Sequence, residues 1–150
     1  MQLNEILSLD CTLCAVQNSS KKKLLETISD MVAPKLVGVS NADVFNSLLQ
    51  RERLGSTGIG QGIAIPHGRL AQAQRPMAAL ITLAQPIDFG AIDNQPIDII
   101  FALLVPEADP AQHLQTLAEV ARRLNDQDFC RTLRKARTDE ELYSTFIKAG

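Results

Sequence analysis

Residues 55–70 read GSTGIGQGIAIPHGRL, and this stretch decides how the flanking segments are interpreted. Its first eight residues contain four glycines, a density that favours a tight irregular loop. Pro66 fixes its own φ and pushes Ile65 towards an extended conformation, so we expect His67 on a stiff segment. Gly68 has no Cβ and leaves room for a partner surface beside the imidazole. The stretch therefore predicts a glycine-rich loop that presents one histidine.

Two phosphate-binding motifs do not fit this stretch. A P-loop requires Gly-Lys followed by Ser or Thr, and residues 55–70 contain no lysine. A dinucleotide-binding loop follows a strand and needs an acidic residue roughly 20 positions further on, where this chain has the apolar segment MAALITLA. Ser56 and Thr57 lie among the glycines, and this composition favours a loop whose successive backbone amides face an anion.

The segment before the loop predicts a helix that carries charges in an unusual place. Ser40 and Asp43 form a capping-box pattern, and the helix is expected to end at Gly55. A projection at about 100° per residue puts Glu52 near the centre of the apolar stripe and Arg51 near its edge. The stripe itself consists of Val44, Phe45, Leu48 and Leu49. Either the helix has ended by then, or both charges face something polar beside the glycine loop.

The remaining pattern predicts further helices and strands. Ser19 or Ser20 can cap a helix over 21–33, and Asp109 with Pro110 can start another. Apolar residues expected to face inward on that second helix are Leu114, Leu117, Ala118, Ala121 and Leu124. Strands are expected at CTLCAV, 36–39, 63–65, 77–84 and 97–105, and two last helices near Asn125 or Asp126 and at Thr138. This order predicts one α/β domain over residues 1–150, with a mixed β-sheet flanked by helices on both sides.

Composition and charge exclude several classes of protein. Hydrophobic residues make up 45% of the chain and charged residues 21%, so a disordered chain is excluded. A net charge of −2 gives no attraction to nucleic acid or to an anionic membrane, and the lysines at 21–23 are interpreted as a solvated helix face. The first ten residues lack an export signal, and the apolar run 99–105 is too short to span a bilayer. We therefore expect a cytoplasmic protein.

The three cysteines fit a reducing compartment better than a disulfide framework. Cys11 and Cys14 form a CxxC pattern in a predicted strand, where positions three apart face opposite sides of the sheet. Without a second CxxC, the pattern does not support a zinc or redox site. We expect free, partly buried thiols at Cys11, Cys14 and Cys130, and neither a metal nor a cofactor.

The second histidine, His113, is placed to meet an anion. It follows closely on Asp109 and Pro110, at the edge of the apolar face of the predicted helix. The amino terminus of a helix favours anions, and open α/β sheets bind ligands beyond the carboxyl ends of their strands. Because this helix follows directly on the strand 97–105, His113 is a candidate site residue, with a buried structural histidine as the alternative.

Three long segments carry a resemblance to a known family. They are RERLGSTGIGQGIAIPHGRL, AIDNQPIDIIFALLVP and HLQTLAEVARRL, and together with the helices around them they span nearly the whole chain. The chain resembles the type 2 enzymes IIA of the fructose and mannitol class of the bacterial phosphotransferase system, and within it the nitrogen-regulatory branch. The family fold is a mixed sheet flanked by helices.

The resemblance implies a role for each site residue. His67 would accept a phosphoryl group on Nε2 from a small histidine-containing phosphocarrier protein, and His113 and Arg51 match the family's second histidine and its arginine beside the site. Arg51, His113, Ser56 and Thr57 are then expected to bind the phosphate. A backbone carbonyl that takes the Nδ1 proton of His67 would leave the Nε2 lone pair free. An apolar docking rim is expected from Ile59, Ile63 and Leu70, which would also suit the core.

The function implied is that of a phosphohistidine carrier, formally a phosphotransferase component without turnover of a small substrate. The chain has neither an extension resembling enzyme IIB nor a membrane segment, which favours a regulator of partner proteins in nitrogen metabolism and potassium homeostasis. One alternative is a sugar-specific enzyme IIA that passes phosphate to a separate IIB. A metal-dependent hydrolase using His67 and His113 lacks a third protein ligand. A plain interaction module would leave His67 unmodified.

Overall fold

The computed structural model describes residues 3–108 and 110–148. Helices and strands follow in the order α1 (Leu3–Ile6), β1 (Thr12–Val16), α2 (Lys21–Val32), α3 (Asn41–Arg53), β2 (Gly58–Gly60), β3 (Ile63–Ala64), β4 (His67–Leu70), β5 (Met77–Ile87), β6 (Ile97–Pro106), α4 (Pro110–Leu124), α5 (Gln127–Lys135) and α6 (Asp139–Lys148). Short 3-10 helices cover Leu9–Cys11 and Ala33–Lys35. The predicted α/β class is confirmed.

The strands form one mixed sheet, as the sequence predicts. Its order is β1-β5-β6-β3-β2, and β4 also pairs with β6. The pairs β1–β5, β3–β6 and β4–β6 are parallel, whereas β5–β6 and β2–β3 are antiparallel. The glycine-rich stretch is thus less irregular than expected, because β2 and β3 fold back on each other as a short antiparallel pair.

Strands β3 and β4 behave as one strand beside β6, with a break at Pro66. Ile63 pairs with Ile99 and His67 pairs with Leu103, so the register against β6 is the same on both sides of the break. The carbonyl of Pro66 accepts a hydrogen bond from the amide of Leu103 at 2.9 Å. The proline, which has no amide hydrogen, interrupts the strand without shifting it. His67 therefore lies on a stiff segment, as expected.

Helices cover both faces of the sheet, which confirms the predicted layers. On one face α2 and α3 bury Leu24, Leu25, Ile28, Val44 and Leu48 against the sheet. On the other face α1, α4, α5 and α6 bury Leu3, Val120, Leu124, Leu133, Leu142 and Phe146. The central strand β6 contributes alternate residues to the two cores, because successive side chains of a strand point to opposite faces.

The helix starts follow the capping signals of the sequence. Ser20 Oγ accepts the amide of Lys23, and Ser40 with Asp43 completes both hydrogen bonds of a capping box. Asp126 caps α5. At α6 Thr138 Oγ1 accepts the amide of Glu141, while the Glu141 carboxylate takes the amide of Arg137 rather than that of Thr138. Asp109, the expected cap of α4, lies outside the described residues.

Two elements differ from the prediction. Residues 36–39 form a turn rather than a strand, because Gly38 adopts φ +76° and reverses the chain between α2 and α3. The buried face of α4 is also rotated from the one expected: Leu114 is 67% exposed and Ala118 is exposed, whereas His113 is 7% exposed. Apolar periodicity alone assigned His113 to the edge of this face, but the contact with the His67 ring on β4 turns it inward.

Gly68 has a different role from the one expected. It is buried on the face of β4 that packs against α3, and a Cβ at this position would collide with Ser47 Oγ and lie 3.1 Å from the Ser47 carbonyl carbon. The missing side chain thus serves the contact between α3 and β4 rather than access for a partner. This close contact fixes the helix end that carries Arg51 next to His67.

We expect Gly68→Ala to lower the free energy of unfolding by about 1–3 kcal/mol, since the added methyl group overpacks the contact between β4 and α3. Urea denaturation monitored by circular dichroism measures the change. Adding Ser47→Gly to this variant removes the nearest side-chain obstacle and should restore part of the loss. An unchanged urea midpoint for Gly68→Ala would contradict the close contact.

Candidate functional site

His67 has one hydrogen bond on each ring nitrogen. Nδ1 lies 2.8 Å from the carbonyl oxygen of Ile65, and because a carbonyl can only accept, the proton belongs on Nδ1. Nε2 accepts a hydrogen bond from Arg51 Nε at 3.2 Å. The imidazole is therefore neutral, with its lone pair on Nε2, in the tautomer that the sequence analysis anticipates.

Burial keeps this imidazole unprotonated. The pKa of His67 lies below its ordinary value mainly because burial disfavours the charged ring; the Arg51 guanidinium also lowers it, while the Ile65 carbonyl and the Glu52 carboxylate oppose the shift. A neutral ring with a free lone pair is the nucleophilic form of histidine. The ring can therefore act as a nucleophile at neutral pH once Arg51 Nε leaves the lone pair on Nε2.

His113 lies beside His67. The two ring centroids are 5.7 Å apart and the planes meet at 83°. Nδ1 of His113 is buried and has no hydrogen-bond partner among the residues that the structure describes. Burial lowers the pKa of His113; the Arg69 guanidinium lowers it further, and so does repulsion between the two imidazoles whenever His67 is protonated. The site thus contains two neutral imidazoles in edge contact.

An open groove of about 490 Å³ contains both histidines. Arg51 and Arg69 outnumber Glu107 on its walls, so the groove favours an anion. Its lining residues are Ser47, Gln50, Arg51, Leu54, His67, Gly68, Arg69, Glu107, Pro110, His113, Leu114 and Leu117. A larger hollow of about 740 Å³ beside the start of α2 is lined by polar residues and contains neither histidine. The chemistry therefore points to the smaller groove.

The rim of the groove is apolar, but not at the residues expected. Leu54 is 85% exposed and Leu114 is 67% exposed, and both line the groove. By contrast Ile63 and Leu70 belong to the core, with exposed fractions of 2% and 3%. Ile59 is 45% exposed and is not part of the lining. The sequence signal for Leu54 was its place after the last helical turn, where an apolar side chain has nothing to pack against.

Ser56 and Thr57 are not brought into the groove. Ser56 Oγ lies 3.3 Å from the carbonyl of Phe89, to which it donates, and it accepts the amide of Gly58 at 3.0 Å. Thr57 is 4% exposed, and both its amide and its hydroxyl donate to the carboxylate of Glu52. Of the residues proposed from the sequence, His67, His113 and Arg51 come together, while Ser56 and Thr57 lie behind them.

Glu52 occupies the buried position that the helical projection indicated. Helix α3 continues to Arg53, so Glu52 faces inward at 8% exposure, towards the glycine-rich stretch. Its carboxylate also pairs with Lys21 Nζ at 2.7 Å. Lys21 donates to the carbonyl of Phe89 and lies 4.3 Å above the Phe89 ring. Lys21 therefore does not belong to a solvated face, because the Glu52 carboxylate draws it inward.

The three cysteines are free thiols, as the sequence indicates. Cys11 and Cys130 are buried and Cys14 is half-buried; each thiol donates to a backbone carbonyl. Burial raises the pKa of all three. Within 3–108 and 110–148 no three His, Cys, Asp or Glu side chains converge as a metal site would require. Over the same residues, every helix is too short or too polar to cross a bilayer.

We expect the folded chain to lose stability as the pH falls from about 7 to about 5. Both histidines have a lowered pKa when folded, so below their ordinary pKa of about 6.5 the unfolded chain binds more protons. The double variant His67→Gln/His113→Gln should flatten this dependence. Urea denaturation at about pH 7.5 and 5.5 measures it.

Acidic residues do not obscure this pH window. Where pairing or hydrogen bonding lowers a carboxyl pKa, as at Asp10, Asp93 and Glu119, the loss of stability begins only near or below the ordinary carboxyl range. A wild-type urea midpoint that does not change between the two pH values would contradict the depressed histidine pKa values.

Comparison with known proteins agrees with the fold and with the motifs. Residues 5–149 match the family model described as "Phosphoenolpyruvate-dependent sugar phosphotransferase system, EIIA 2". The chain is 50% identical to the nitrogen regulatory protein of Klebsiella oxytoca over 100% of this chain and 93% of that one, and 49% identical to that of Escherichia coli K12 over 95% and 88%.

Solved structures give the same family and fold. The nitrogen regulatory protein IIA-Ntr of Neisseria meningitidis superimposes with a TM-score of 0.90 at 38% identity, covering 94% of this chain and 96% of that one. The mannitol IIA of Escherichia coli shares the fold at a TM-score of 0.74 and 16% identity, covering 89% and 94%. The two relatives from Klebsiella oxytoca and Escherichia coli K12 carry the name nitrogen regulatory protein. The chain therefore belongs to the type 2 EIIA family of the phosphoenolpyruvate-dependent sugar phosphotransferase system.

Proposed function

We propose that His67 accepts a phosphoryl group on Nε2 from a small histidine-containing phosphocarrier protein. The observation that carries this proposal is the fixed tautomer of His67, with Nδ1–H on the Ile65 carbonyl and the Nε2 lone pair facing the groove arginine. A nucleophile needs that lone pair, and a neighbouring cation needs to be at hand when negative charge arrives. Family membership supports the same reaction class.

The transfer step moves only the phosphoryl group. The Nε2 lone pair of His67 forms a bond to phosphorus, and the phosphorus–nitrogen bond of the donor breaks with its electron pair returning to the donor imidazole. The proton on Nδ1 of His67 remains in its hydrogen bond to the Ile65 carbonyl throughout. Before the transfer, Arg51 Nε donates a hydrogen bond to Nε2 of His67; during the transfer it turns to donate to a phosphoryl oxygen instead.

The groove provides the compensating positive charge. Phosphorylation adds roughly −1.5 to −2 units of charge, by analogy with other phosphoresidues. Arg51 can pair with two phosphoryl oxygens, and His113 can take up a proton and donate a further hydrogen bond. Ser56 and Thr57 act behind the site, where they hold the glycine-rich stretch rather than the phosphate. Leu54 and Leu114 form the apolar rim against which a protein partner docks.

The phosphorylation state then regulates partner proteins. Relatives of nearly the same length and 40–50% identity carry the name nitrogen regulatory protein, which supports a regulatory carrier in the cytoplasm. Nitrogen metabolism and potassium homeostasis are the processes in which we place its targets. The second candidate is a sugar-specific enzyme IIA that passes phosphate to a separate IIB; the mannitol IIA supports it only through the fold.

The first test is the intact mass of the protein after incubation with phosphoenolpyruvate and the two upstream phosphotransferase proteins. We expect one acid-labile phosphoryl addition to the wild type and none to His67→Ala. No addition to the wild type, with upstream proteins shown to be active, would refute the proposal. Subsequent rapid transfer to a fructose-type or mannitol-type IIB would favour the sugar-specific candidate instead.

We expect Arg51→Ala and His113→Ala to fold normally and to slow phosphorylation of His67 by about 100-fold or more, since each removes one partner of the developing charge. Rapid-quench phosphorylation at saturating donor measures the rate, and urea denaturation checks the fold. Arg53→Ala is a suitable control because Arg53 follows Arg51 by two positions on α3 and does not line the groove. Wild-type rates in both groove variants would show that the phosphate binds elsewhere.

A further inference from the structure

The ion pair between Lys21 and Glu52 lies beneath the site and has no role in the chemistry described so far. The Glu52 side chain is 3% exposed and that of Lys21 is 30% exposed, so the carboxylate is almost fully removed from water. A buried ion pair is seldom more stabilising than an apolar pair of similar size. The gain in stability therefore does not explain its presence, and its contacts suggest another role.

The first set of contacts leads from Glu52 to Nδ1 of His67. The carboxylate accepts the amide and the hydroxyl of Thr57. The carbonyl of Thr57 accepts the amide of Ile65 at 3.0 Å, and the carbonyl of Ile65 accepts Nδ1 of His67 at 2.8 Å. Glu52 thus fixes the position of Thr57, Thr57 fixes that of Ile65, and Ile65 determines the tautomer of the imidazole.

The second set of contacts leads from Glu52 to Nε2 of His67. Arg51 is the neighbouring residue of α3, and its Nη1 donates to the carbonyl of Gly55 at 2.9 Å while its Nε reaches His67. The amide of Gly55 in turn donates to the carbonyl of Glu52 at 3.1 Å. The end of α3 and the start of the glycine-rich stretch are therefore joined at the backbone of Glu52, so this second set of contacts does not depend on the carboxylate.

We propose that Glu52, held by Lys21, is a positioning residue for phosphoryl transfer, which sets the Nδ1 hydrogen bond of the His67 imidazole, and with it the tautomer, without contacting the imidazole itself. The proposal rests on the proposed function in one respect, namely that transfer to His67 is the reaction affected. The effect of Glu52 on the geometry of the His67 imidazole does not depend on whether the protein is phosphorylated.

A carboxylate is required at this position because three donors converge on it. They are the amide and hydroxyl of Thr57 and the ammonium group of Lys21. A carboxylate has two oxygens that only accept, whereas a carboxamide has one oxygen and an NH₂ group. Glu52→Gln keeps the size of the side chain but removes the charge that holds Lys21, and its NH₂ group can stay next to Thr57 only if the Thr57 hydroxyl changes from donor to acceptor. The expected result is a displaced Thr57 in a folded chain.

The experiment compares Glu52→Gln with Asp98→Asn, a matched loss of a carboxylate. Asp98 pairs with Arg134, which also donates to the carbonyl of Gln61. This pair thus holds the far turn of the hairpin formed by β2 and β3, and within residues 3–108 and 110–148 it makes no hydrogen bond to Thr57. At saturating donor we expect Glu52→Gln to lower the maximal rate of phosphorylation at least about tenfold, through misplacement of the nucleophile, with little change in KM. Asp98→Asn should retain the wild-type rate.

A second readout does not depend on transfer. The ¹⁵N signals of the His67 ring distinguish a protonated from an unprotonated nitrogen, and in Glu52→Gln they should show loss of the single Nδ1–H tautomer. Lys21→Arg keeps the cation and should keep both the rate and the tautomer, whereas Lys21→Met should impair both. Thr57→Val removes one hydrogen bond to Glu52 without changing charge, and it tests the same contacts if Glu52→Gln fails to fold.

The outcomes separate the two proposals. If Glu52→Gln and Thr57→Val lower the urea midpoint but keep the wild-type maximal rate and tautomer, Glu52 is merely structural and the inference is wrong. If the wild type is never phosphorylated, the proposed function fails, yet the ¹⁵N signals still decide whether Glu52 sets the ring. A rate loss in Asp98→Asn as large as in Glu52→Gln would also overturn the inference.

Discussion

The hydrogen bond from His67 Nδ1 to the carbonyl of Ile65 is the interaction on which the site depends. A carbonyl accepts only from a protonated nitrogen, so this bond places the proton on Nδ1 and leaves the lone pair on Nε2. The two bonded residues are only two positions apart in the sequence, and Pro66, which lies between them, removes most of the backbone freedom. One backbone oxygen thereby selects the reactive form of the ring.

The sheet supplies the rigid frame for that bond. The interrupted strand formed by β3 and β4 keeps one register against β6, and the carbonyl of Pro66 is itself bonded to the amide of Leu103. Because His67 lies at an edge, the end of α3 can approach from one side and the start of α4 from the other. Arg51 and His113 therefore reach the same imidazole from two helices that are far apart in the chain.

Much of this arrangement can be predicted from the sequence, and each prediction that is wrong has a specific physical cause. Local rules succeed at Pro66, where ring geometry stiffens the backbone, and at Glu52, where a charge on an apolar stripe indicates a polar partner. They fail at Gly68, whose missing Cβ serves a helix that no local pattern places next to it. They also fail at Ser56 and Thr57. The hydrogen-bond partners of these residues are Phe89 and Glu52, and tertiary packing rather than local sequence brings them together.

The close contact at Gly68 bears on how the proposed regulation would work. With the backbone of β4 packed directly on Ser47, α3 cannot slide over the sheet without a collision. Under the proposed function, a phosphoryl group would therefore act through its charge, roughly −1.5 to −2 units, against a groove wall on which Arg51 and Arg69 outnumber Glu107. A partner would then discriminate the two forms by electrostatic complementarity, and the range of that discrimination would be set by the ionic strength of its surroundings.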